Sequence, residues 1–79
     1  MYSFKINLSS INAVKEFVNT TCRQMCDIDI VSGRYRIDAK SIMGIFSIDL
    51  SKPVTVEVDG TEAEFSAFKE DVKDIIVEE

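Results

Sequence analysis

The chain has 79 residues, 46% of them hydrophobic and 29% charged, with nine Lys and Arg against 14 Asp and Glu, for a net charge of −5. This length and balance predict one globular domain over residues 1–79 with a single small core. The excess of carboxylates argues against nucleic acid or an anionic membrane surface as a partner, because both need a field of Lys and Arg.

No apolar run reaches the ~18 residues of a membrane span, and no basic-then-apolar leader opens the sequence, so a cytoplasmic protein is expected. The chain contains no histidine. Its two cysteines, Cys22 and Cys26, make an incomplete zinc site. They are expected to be reduced, at least partly buried thiols on one side of a helix. No metal or cofactor is expected.

In chain order, Tyr2, Phe4, Ile6 and Leu8 alternate with Ser3, Lys5 and Asn7, the pattern of a strand with one buried face. After Ser9-Ser10 the period changes. Ile11, Val14, Phe17, Val18, Thr21, Cys22 and Met25 follow three- and four-residue spacing, which predicts an amphipathic helix to about Cys26, capped by Ser10. Asp27–Val31 and Arg34–Asp38 each return to period two around Ser32-Gly33, a β-hairpin. Its buried face would hold Ile28, Ile30, Tyr35 and Ile37. Asp27, Asp29, Arg34 and Arg36 would share the other face.

Ser41 to about Phe46 predicts a short helix with Ser41 as its cap. Val54, Val56 and Val58 alternate in a fourth strand, ended by the Asp59-Gly60 turn. Thr61-Glu62-Ala63-Glu64 reads as a capping box. The helix that follows would bury Phe65, Phe68, Val72, Ile75 and Ile76. Glu70, Asp71, Asp74, Glu78 and Glu79 would form its solvated, fraying end. The order is βαββαβα. Strands with one apolar face predict an α+β open-faced sandwich, antiparallel or mixed, with helices over one side.

Enzyme activity is not expected: there is no histidine for acid–base work, no cysteine with a histidine partner and no Gly-rich phosphate loop.

The stretch Ala39-Lys40-Ser41-Ile42-Met43-Gly44, followed by Ser47-Ile48, resembles HPr, the histidine-containing phosphocarrier family of the bacterial sugar phosphotransferase system. Phe17-Val18 and Val54-Thr55-Val56 match more weakly, and the element order agrees over nearly the whole chain. The resemblance implies a four-stranded antiparallel sheet under three helices. It also implies a protein partner, with HPr kinase/phosphorylase and a transcription regulator as candidates.

The family motif at the first helix is Gly-X-His-X-Arg-Pro, whereas this chain reads Leu8-Ser9-Ser10-Ile11-Asn12-Ala13. Ser10 takes the place of the histidine and Asn12 that of the arginine, which leaves a degenerate phosphohistidine site. Ser41 matches the serine that HPr kinase phosphorylates in Gram-positive members, and Ile42, Met43 and Phe46 match the partner-docking positions. The catabolite-repression members of the family, which also lack the histidine and keep the serine, are the nearest functional parallel.

Simpler roles stand beside these. Ser41 can be a helix cap alone. Ile42, Met43 and Phe46 can be core, with Phe46 the first candidate to turn inward. The whole domain can be a structural or interaction module without phosphate signalling. Oligomeric state is open.

Overall fold

The computed structural model describes residues 2–77. Four strands, β1 (Tyr2–Ile6), β2 (Asp27–Ser32), β3 (Tyr35–Asp38) and β4 (Val54–Asp59), form one antiparallel sheet in the order β1-β4-β2-β3. Val54, Val56 and Val58 place β4 at its centre, with Phe4 opposite Val56 on one side and Ile30 opposite Val56 on the other. Every second residue of a strand points to the same face of the sheet. Ile6, Ile28, Ile30, Val54, Val56 and Val58 are accordingly buried there.

Three helices supply the rest of the core: α1 (Ile11–Cys22), α2 (Ile42–Phe46) and α3 (Glu62–Asp71). Val14, Phe17 and Val18 of α1 and Phe68 of α3 are buried. The Phe68 ring lies 5.9 Å from Phe17 and 6.1 Å from Phe4, in the tilted arrangements that aromatic rings favour. The result is the α+β open-faced sandwich, with antiparallel pairing throughout. Thr61 and Glu64 form the expected capping box at α3. At the hairpin turn Gly33 takes φ 59°, a backbone region open to glycine at no steric cost. No helix among the described residues is long and apolar enough to cross a membrane.

The structure corrects several expectations. Helix α1 stops at Cys22, where Arg23 caps it with its N–H on the Thr20 and Thr21 carbonyls. The chain must then turn to enter the sheet at Asp27. The two cysteines therefore share no helix face: Cys22 is exposed and Cys26 buried. Met25 lies in the turn and is bare to solvent, and Ile11, in the first turn of α1, is 64% exposed. Tyr35 is also exposed. It stands opposite Ser32 at the tip of the hairpin, on the edge strand.

At the other end, α3 closes at Asp71 and a 3-10 turn spans Lys73–Ile75. The segment beyond does not continue the helix. It bridges β1 instead, through Ile6 opposite Ile76, with the Asn7 N–H on the Ile75 carbonyl and the Val77 N–H on the Lys5 carbonyl, both at 2.9 Å. β-branched residues suit that extended edge. Glu78 and Glu79, expected to fray, lie outside the described residues.

Candidate docking site

Helix α2 is five residues long, and its two stripes have opposite fates. Residues three apart share a face of a helix. Ile42 and Ile45 turn toward the sheet, half-buried and fully buried respectively. Met43 and Phe46 turn outward, at 78% and 44% exposure. Phe46, the first candidate for the core, is thus displaced by Ile45, which the sequence pattern had not singled out. No sequence signal marked it: with Ile42 and Ile45 inward, Gly44 lies against Ile37 of β3, a contact between residues of different elements.

Ser41 caps α2 from an extended backbone, and its Oγ accepts the Gly44 N–H at 3.2 Å. Its side chain is exposed. The neighbouring lysine is not turned toward it. Lys40 Nζ donates to the carbonyls of Gln24 at 3.2 Å and Cys26 at 3.4 Å, and its backbone N–H donates to Asp38 Oδ1. Ala39 is fully buried, and its carbonyl accepts from the Thr21 hydroxyl at 3.0 Å.

Ser10 caps α1 in the same manner, with its Oγ accepting the Ala13 N–H at 3.0 Å. Asn12 is exposed. A shallow groove of about 290 Å³ runs from this helix start to the end of α2, lined by Leu8, Ser9, Ser10, Ile11, Val14, Phe46, Leu50 and Ser51. The fold therefore brings Ser10 and Phe46 to one groove, while Ser41, Ile42, Met43 and Asn12 lie outside its lining. Among the described residues no charged side chain lines it.

Leu50 and Ser51 were missed as site residues because their loop carries no periodic signal. Asp49 holds the loop in shape, accepting from the Ser51 N–H at 2.9 Å and hydroxyl at 2.6 Å. Those two bonds hold its carboxyl below the ordinary value. Among the described residues no group of three His, Cys, Asp or Glu is placed to hold a metal ion.

A βαββαβα open-faced sandwich, with three capped helix starts and outward apolar side chains beside the first of them, is the architecture of a small phosphocarrier-type protein. The chain belongs to the HPr family: the family model described as the PTS HPr component phosphorylation site matches residues 9–76.

Solved structures agree on the fold. HPr-C-His from Thermoanaerobacter tengcongensis superposes with a TM-score of 0.74 at 23% identity, covering 92% of each chain. The phosphocarrier protein HPr from Bacillus anthracis gives 0.68 at 26% identity, covering 90% of this chain and 95% of that one. The histidine-containing phosphocarrier protein from a Mycoplasma gives 0.72 at 16% identity, covering 92% and 89%. No curated protein matches the chain.

Proposed function

We propose that this HPr-family protein is a regulatory or adaptor domain that docks a protein partner through α2 and carries no phosphohistidine. The observation that carries this reading is the outward pair Met43 and Phe46, on a helix whose other stripe is already committed to the core. Exposed apolar side chains grouped in this way mark interaction surfaces, and the uncharged groove from Ser10 to Phe46 extends this one. A chain with no histidine has no imidazole on which to carry phosphate. Ser10 is engaged as a cap, and a serine phosphoester lacks the transfer potential of phosphohistidine.

Pull-down of the partner with Met43→Asp and Phe46→Asp tests the face. Loss of capture with an unchanged circular dichroism spectrum supports it, and undiminished capture by both variants rejects it. Ser41 is the proposed point of regulation. A phosphate there would add about −1.5 to −2 charge beside the docking pair. Incubation with HPr kinase/phosphorylase and ATP should add one phosphate mass to the wild type and none to Ser41→Ala.

A second reading, an interaction module without phosphate signalling, draws support from Lys40, whose ammonium is engaged on backbone carbonyls. It predicts no mass gain together with a stable oligomer in a sedimentation concentration series.

A further inference from the structure

The segment that presents Ser41 is fastened to the far end of α1 by side chains from both partners. From α1, the Thr21 hydroxyl sits between the Val18 carbonyl at 2.9 Å and the Ala39 carbonyl at 3.0 Å, in a fully buried position. From the other side, Lys40 spans back to the Gln24 and Cys26 carbonyls. Those carbonyls belong to the turn between α1 and β2, which starts where Arg23 and Gln24 close the helix on the Thr20 and Thr21 carbonyls. Buried Thr21 is locked in place. Lys40, only half-buried, is the fastener that can move.

A lysine ammonium is a point charge on a flexible four-carbon stem. Its bonds to the two carbonyls are charge-assisted from the donor side alone, whereas a phosphate would meet the ammonium with a full opposite charge. The hollow that Lys40 borders is also lined by Asp27, Asp29, Asp38, Glu57 and Asp59, and a carboxylate carries at most one charge. A phosphoserine at the adjacent position carries about −1.5 to −2, so it would be the strongest acceptor within reach of the stem.

We infer that Lys40 relays modification of Ser41 to the α1–β2 turn: phosphoserine at 41 draws the Lys40 ammonium off the Gln24 and Cys26 carbonyls, and the turn that bears the exposed Met25 loosens. The relay rests on Ser41 being modified as proposed above. It adds a second responding surface, at the opposite end of α1 from the groove.

The test builds phosphoserine into position 41 during synthesis, so that kinase recognition plays no part, and follows hydrogen exchange of the Arg23 and Gln24 amides. Exchange should be at least about tenfold faster than in the unmodified protein, the low end of the effect of losing one hydrogen bond from a charged group. In Lys40→Gln, exchange should already be fast, and phosphoserine should add nothing. Unchanged exchange in the phosphoserine form of the natural sequence overturns the relay. So does an equal acceleration in Lys40→Gln, which would show another route. The comparison within the natural sequence needs no substitution at position 40, so it decides the matter even where Lys40→Gln folds poorly. Whether a kinase modifies Ser41 is settled separately by the mass gain.

Discussion

Gly44 of α2 lies so close to Ile37 of β3 that a Cβ on it would stand 2.6 Å from Ile37 Cγ2. The short helix thus rests on the edge strand through bare backbone, and this contact sets how far Met43 and Phe46 stand out. Gly44→Ala should destabilise by about 1–3 kcal/mol through overpacking, against a gain of ~1 kcal/mol in helix propensity. Adding Ile37→Ala should recover part of the loss in a double-mutant cycle followed by urea denaturation. Strictly additive effects would locate the cost elsewhere.

The two stripes of α2 should separate by stability. Ile45 is fully buried, so Ile45→Ala should cost about 2–5 kcal/mol. Met43→Ala should stay within about 0.5 kcal/mol of the parent, as exposed substitutions do. Thermal unfolding of the two variants checks the difference. A costly Met43→Ala would mean that this side chain is structural.

On the open face of the sheet, Arg36 reaches Asp29 at 3.1 Å and Glu57 at 2.6 Å. The register sets Asp29 opposite both Asp38 and Glu57, and Asp27 opposite Asp59. Directly opposed like charges repel, and Arg36 offsets part of that repulsion. The hydrogen bonds to Glu57 and then Asp29 push its pKa further up. Arg36→Gln should lower the urea midpoint at low ionic strength, and the loss should shrink as salt screens the carboxylates. An effect independent of salt would point to packing of the arginine stem.

The two thiols should react apart. Cys22 should be alkylated readily and Cys26 only slowly, because Cys26 is buried. Desolvation first, and then the charge of Glu64, push the Cys26 thiol above its ordinary value of 9.0. The stability this neutral thiol contributes is full below the ordinary value and is lost as pH rises through the higher folded one. On the acid side Asp49 has the opposite sign. Its carboxyl is held below 3.8 by Ser51, so its contribution is present above that value and is lost as pH falls through the lower folded one. Cys26→Ala should flatten the alkaline limb of the stability profile, and Asp49→Asn the acid limb.

Local chemistry made the elements legible in the sequence. Alternation in Tyr2–Leu8 and Val54–Val58, caps at Ser10 and Ser41, the capping box at Thr61 and the Gly33 turn all act within a few residues, so the chain alone determined them. The family also followed from a contiguous stretch, Ala39–Ile48, together with the element order. Tertiary structure decided what depended on partners distant in sequence. The end of α1 at Cys22 follows from the chain's need to turn into β2, and no propensity marks it. The turn of the last residues onto β1 depended on the strand order, which puts β1 at the outside of the sheet. Which side of α2 faces out was set by the fit of Gly44 on Ile37. Lys40, adjacent to Ser41 in sequence, was directed to Gln24 and Cys26 because the packed fold brought those carbonyls within its reach.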